Sequence, residues 1–147
     1  MIRVFSAALI LAMTIALAET HQAQSNLVST SIYTELQKAP KKAAARQNPL
    51  ENDSRAVPAG AKLFDLHCAE CHGPMAQGGK KAPSLLADQV QQASPGTLFW
   101  LLTNGVVRRG MPVWSKLPEP ERWQLVAYIK SLRPREKPTS STRNQQN

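Results

Sequence analysis

A chain of 147 residues has room for one modest core and no more. Its formal charge of +8 makes a basic surface that suits nucleic acid, anionic lipid or an acidic protein, and charge alone selects none of them.

The first residues narrow the choice. Arg3 precedes VFSAALILAMTIAL at 4–17, apolar except for Ser6 and Thr14, and the run ends in ALA at Ala16 to Ala18 before the polar ETHQAQS. This order of basic, apolar and small residues predicts a secretory signal peptide at 1–18, cleaved near Ala18. The apolar run is shorter than the roughly 20 residues of a spanning helix, which argues against a retained anchor. Cleavage removes Arg3 and no acid, so 18 bases become 17 against 10 acids, a net +7. Export argues against a role with chromosomal DNA. It also places two cysteines where a simple pair would oxidise to a disulfide.

Residues 19–55 are polar and poor in aromatics, and read as an extended leader wrapped on a domain surface. Short helical turns are expected at YTELQ and KKAAAR, but no apolar stripe is sustained. Residues 56–134 read as the globular domain. A first helix is expected from about Val57 to Cys71, with Ala61, Phe64 and Cys68 at helical spacing. Gly60 lies on the same face as Phe64. A glycine inside a helix costs about 1 kcal/mol against alanine, so its presence suggests that another helix approaches there.

The second expected helix is SPGTLFWLLTNG, with Ser94 as cap, Pro95 at the first helical position, and Asn104 and Gly105 at the stop. Leu98, Leu101 and Leu102 make its apolar face. The third is PEPERWQLVAYIKSLRP. Pro118 and Pro120 suit its first turn, and Glu119 and Glu121 complement its dipole. Trp123, Val126, Ile129 and Leu132 face inward, and Pro134 marks the end. Long Gly- and Pro-rich loops join the three helices and no strand is convincing. The expected class is therefore all-α. Large apolar residues are too few to fill such a core, and an apolar cofactor would supply the missing volume. The tail at 135–147 is polar and expected to be disordered.

Both cysteines, two of the three histidines and a methionine crowd into FDLHCAECHGPMAQGG at 64–79. Three chemistries compete for Cys68-Ala-Glu-Cys71-His72. The C-x-x-C-H pattern is the local signature of covalent haem attachment, in which two thiols add to two vinyl groups and the adjacent histidine falls under the iron. A thiol oxidoreductase would place its C-x-x-C at a helix N-terminus within a βαβ pattern, whereas this pair ends a predicted helix. A structural zinc site of His67, Cys68, Cys71 and His72 would need adjacent residues to converge on one tetrahedral ion, and no second knuckle follows.

An electron-carrying haem needs a second axial ligand. Once the signal peptide is removed, Met75 and Met111 are the methionines that remain. Met75 stands three residues past His72, too close to loop around a macrocycle. Met111, in RRGMPVW, lies 39 residues on, and Gly110 and Pro112 can hold its backbone. A thioether opposite a histidine fills both axial positions and raises the potential. His67 adjoins Cys68 and cannot reach the opposite face, and His21 belongs to the leader.

In this order and spacing, AGAKLFDLHCAECHG, APSL, NGVVRRGMPVW and WQLVAYIKSL over residues 57–133 resemble the class I c-type cytochromes. The likeness is greatest to the bacterial branch related to haem domains of terminal oxidases and periplasmic dehydrogenases. The resemblance implies a small domain of three main helices around one covalently attached haem c. It implies first and last helices crossing near perpendicular, with Gly60 and Phe64 on one side of the contact and Tyr128 on the other. It further implies that the Pro83 carbonyl accepts a hydrogen bond from His72. The leader has no counterpart in the minimal family pattern.

The resulting expectation is a periplasmic monohaem electron carrier, not an enzyme. Cys68 and Cys71 would bind the porphyrin, and His72 and Met111 the iron. Some of Lys80, Lys81, Arg108, Arg109 and Lys116 would steer acidic redox proteins. The alternatives are an electron-transfer subunit of a larger, membrane-associated dehydrogenase or oxidase, and a haem enzyme with an open distal site.

Overall fold

The computed structural model describes residues 33–132. The expected signal peptide, residues 19–32 of the leader, and the chain beyond residue 132, with its tail, lie outside the described residues. Among the described residues six α-helices follow one another: α1 (Lys41–Ala44), α2 (Ala56–His67), α3 (Ala69–His72), α4 (Asp88–Gln92), α5 (Pro95–Asn104) and α6 (Glu119–Ser131). Two 3-10 turns, Thr34–Lys38 and Val107–Arg109, complete the set. Among the described residues the sole β pairing is an isolated antiparallel bridge between Val106 and Met111. The all-α expectation holds.

Helices α5 and α6 begin where their caps dictate. Thr97 N donates to Ser94 Oγ at 3.2 Å, and Pro95 follows at a position whose N–H has no helical acceptor. In α6, Pro118 is the cap residue and Glu119 and Glu121 lie in the first turn. The first helix departs from expectation. It does not run unbroken to Cys71, because Cys68 adopts φ −123°, ψ −33° and splits it into α2 and α3. The Cys68 carbonyl then accepts from both Cys71 N (3.1 Å) and His72 N (2.9 Å), closing a separate turn around the motif. Helical periodicity is continuous across this break, so the sequence pattern does not reveal it.

The core lies where α2, α5 and α6 meet. Phe64, Trp123, Leu125 and Val126 are its largest fully buried side chains. Gly60 is the point of closest approach between α2 and α6. A Cβ there would collide with the Gln124 carbonyl and lie 2.9 Å from the Tyr128 Cβ. Phe64 and Tyr128 meet beside it with ring centroids 5.2 Å apart. Leu132 is half-buried against this core, as its spacing predicts, whereas Leu125 and Arg122 are buried beyond that prediction. Burial of Arg122 is tolerated because Nε donates to Leu117 O at 3.1 Å, Nη1 to Thr103 Oγ1, and its guanidinium lies 4.7 Å from the Phe99 centroid.

Residues 33–55 run over α5 and α6. Asn48 is buried, donating Nδ2 to Trp123 O at 3.0 Å and accepting from Leu50 N at 2.9 Å. Ser94 Oγ, the α5 cap, donates to Ala44 O at 2.7 Å. The Arg46 guanidinium covers the stacked Phe99 and Trp123 rings at 4.6 and 5.1 Å. The short turns expected at YTELQ and KKAAAR form at Thr34–Lys38 and Lys41–Ala44. They dock through the Ala44 carbonyl and half-buried Leu36, and Leu50 packs against the core beyond them. This explains how they hold without an amphipathic stripe of their own.

Candidate functional site

The motif turn presents its groups at graded depth. Cys68 and His72 are half-buried, and Cys71 is exposed. The two cysteines form no disulfide with each other. Burial, with a smaller contribution from Cys71, pushes the Cys68 thiol up to about 11. A redox-active C-x-x-C needs the opposite shift, so this environment argues against the oxidoreductase reading. Among the described residues, no three His, Cys, Asp or Glu side chains gather as a metal set, which removes support for the zinc reading.

His72 is held from behind. Its Nδ1 lies 2.9 Å from Pro83 O. A carbonyl only accepts, so Nδ1 carries the proton and Nε2 keeps its lone pair. Burial lowers the basicity of the ring, with the Pro83 bond opposing it, and the neutral imidazole is the form able to bind a metal. Pro83 reaches this position because the loop folds back on the motif. Gly78 N donates to His72 O at 2.7 Å, and Leu85 N donates to Ala76 O at 2.9 Å. Gly78 has φ 78°, and a Cβ there would lie 2.7 Å from the Pro83 carbonyl carbon and strike Ser84 N. Glycine at 78 is what lets the Pro83 carbonyl pass close to His72.

Met111 sits on the loop between α5 and α6. Val106 N donates to Met111 O at 3.0 Å and Met111 N to Val106 O at 3.2 Å, so the Val107–Arg109 turn forms a small closed loop. Gly110 ends that turn in the left-handed region at φ 85°. Met111 is half-buried and packs against the core, whereas Met75 is 75% exposed. Trp114 N then donates to Leu102 O at 3.0 Å, and the Trp114 ring lies 5.2 Å from the His67 ring. His67, no ligand candidate by position, thus links the Met111 loop to the segment entering Cys68. Sequence reasoning did not single out Trp114. The signal available was the aromatic three residues after Met111 in MPVW.

The donor set fits a covalently held haem. Two thiols stand on one turn, a neutral imidazole with a free Nε2 is adjacent, and a thioether lies on a separate anchored loop. Exposed apolar side chains accompany it, Met75 after His72 and Val107 and Val113 on either side of Met111. These are the kind of surface an apolar macrocycle covers.

The fold and motif define a class I c-type cytochrome. The chain belongs to the cytochrome c oxidase, cbb3-type, subunit III family, whose model matches residues 55–129. Such a domain is an electron carrier with covalently attached haem c. The quinohemoprotein alcohol dehydrogenase ADH-IIG of Pseudomonas putida is 36% identical over 86 residues, covering 57% of this chain and 11% of that protein. The cbb3-type cytochrome c oxidase subunit FixP of Sinorhizobium medicae is 36% identical over 87 residues, covering 52% of this chain and 30% of that one. The chain therefore spans less than a third of either curated relative. The solved structure of cytochrome CL from Methylophaga aminisulfidivorans aligns with a TM-score of 0.52 and 27% identity, covering 59% of each chain.

Proposed function

We propose that this chain is an exported monohaem c-type cytochrome that carries single electrons between redox proteins. In this reading Cys68 and Cys71 form the two thioether bonds, and His72 and Met111 are the axial ligands. One C-x-x-C-H motif means one haem. The observation that carries the reading is the His72 Nδ1 to Pro83 O bond at 2.9 Å. It fixes the ring, leaves Nε2 for the metal and raises its donor strength. When bound, the haem supplies a one-electron couple. The chain's own residues would hold and orient it, Cys68 and Cys71 through the porphyrin and His72 and Met111 through the iron. We assign residues 1–18 to a signal peptide, 19–55 to a leader, 56–134 to the haem domain and 135–147 to a tail, with a periplasmic location.

The pyridine haemochrome assay tests the cofactor directly. Protein matured by a haem-attachment system should keep one haem through acid-acetone extraction, and Cys68→Ala with Cys71→Ala should lose it. Extractable haem in the wild-type protein would defeat the reading.

The basic surface is already partly compensated. Lys81 Nζ pairs with Glu70 at 2.9 Å, and Arg108 and Arg109 pair with Glu35 at 3.2 and 3.8 Å. Lys80 and Lys116 are exposed without a carboxylate partner among the described residues. These two are the proposed steering charges for an acidic partner, so transfer rates fall as salt rises.

A second reading is a subunit of a larger dehydrogenase or oxidase. It is favoured by the relatives, in which the matching region is a minor part of a longer chain. Among the described residues no helix is long and apolar enough to cross a membrane. Co-purification of the exported protein with and without residues 19–55 separates the two. A stable complex lost on deletion supports the subunit, and a monomer in both cases supports the free carrier.

A further inference from the structure

We propose that the turn at Tyr33–Glu35 is a strap that ties the two ligand-bearing loops together, with Glu35 as a positioning residue for Met111. This rests on the assignment of His72 and Met111 above. The turn precedes residues 55–129 that match the family model, so it is a device of this chain's leader.

Two contacts, two residues apart, reach opposite halves of the site. The Tyr33 hydroxyl donates to Ser84 O at 3.0 Å. Ser84 directly follows Pro83, whose carbonyl accepts from His72 Nδ1 at 2.9 Å. The Glu35 carboxylate accepts from Arg108 Nη2 at 3.2 Å and lies 3.8 Å from Arg109 Nε. Those arginines stand three and two residues before Met111, within the small loop closed by the Val106–Met111 bridge. Directly after Glu35 the turn is fastened down, since Leu36 packs against the core. Any shift of the Met111 loop relative to the His72–Pro83 loop must break one end of the strap.

Exposed ion pairs usually stabilise little, because water competes and long side chains lose freedom. Glu35 differs from that case. Its side chain is only 14% exposed, and Lys38 Nζ at 2.7 Å joins the two arginines on the same carboxylate. The cations hold its pKa below the usual carboxylate range, the Lys38 hydrogen bond most of all. Lys38 belongs to the same turn as Glu35, so that pair stays within the turn and does not cross to the site. The arginine pairs do cross. A thioether is a weak iron ligand, so the position of its loop governs how often it lets go.

The test uses full-length, haem-loaded protein. Glu35→Gln keeps the shape and removes the charge. It should weaken the ferric thioether charge-transfer band and speed carbon monoxide binding to the reduced protein several-fold. Hydrogen exchange at the Val106 and Met111 amides should rise by a similar factor, while exchange at Val126 in α6 stays unchanged. Lys38→Ala, which leaves the crossing pairs intact, should match wild type in all of these. If Glu35→Gln does not accumulate, Arg108→Gln cuts the same tie from the other side and carries the same expectation. Wild-type band, carbon monoxide rate and exchange in the charge-removed variant overturn the strap. So do equal effects of Lys38→Ala, or faster exchange spread evenly to α6, which mean general loosening. Absence of the band in wild-type protein defeats the Met111 assignment itself, and the amide exchange then judges the strap alone.

Discussion

Met111→Ala is expected to give a folded, haem-loaded protein whose reduction potential falls by on the order of 0.2 V, within the roughly 0.8 V that axial ligands span. A soft thioether favours the reduced metal, and its loss removes that preference. The reduced protein should also bind carbon monoxide readily. The fold survives because Met111 is only half-buried, so truncation costs less than the roughly 2–5 kcal/mol of a fully buried methionine. Met75→Ala is the control, since that side chain is 75% exposed and should leave the potential unchanged. Potentiometric titration of both variants decides the matter. An unchanged potential in Met111→Ala, or a fall in Met75→Ala, removes Met111 from the site.

Gly60→Ala should destabilise the protein by about 3 kcal/mol, against a total stability on the order of 5–15 kcal/mol for a domain. Two effects oppose each other. Alanine favours a helix over glycine by about 1 kcal/mol. Against this, the new Cβ would overlap the Gln124 carbonyl and press on the Tyr128 Cβ at 2.9 Å. That neighbour is helix backbone, which cannot swing aside as a side-chain tip would, so α2 and α6 must separate. Separation uncovers Phe64 and Val126, both fully buried. Urea unfolding of the haem-loaded protein measures the loss. A stability equal to or above wild type would show that the two helices have slack at this contact.

Much of this molecule is legible in its sequence, for local reasons. Helices α5 and α6 begin at Ser94 and Pro118 because capping and proline geometry act over a few residues. The C-x-x-C-H motif is legible because two thiols and an imidazole must be close in sequence to reach one macrocycle from one side. Gly60 shows itself as a helix residue that propensity alone disfavours. Where local patterns end, so does the reading. The break at Cys68 leaves helical spacing undisturbed, and it exists because the Cys68 carbonyl turns to serve Cys71 and His72. Buried Arg122 reads as a surface charge in a helix, and only its neighbours Leu117, Thr103 and Phe99 make its burial tolerable.

By itself the sequence determined the all-α class and the single C-x-x-C-H motif, since each depends on residue types at short spacing. Only the tertiary structure decided how residues 33–55 are used. Their polar composition carries no periodic signal. Their hold on the domain comes from Asn48 on Trp123 O, Ala44 O on Ser94, Tyr33 on Ser84 O and Glu35 on the arginines of the Met111 loop. Each of these contacts joins residues about 50 or more positions apart. Hydrogen bonds and ion pairs at that separation depend on where the folded chain brings two groups, and no local pattern encodes it.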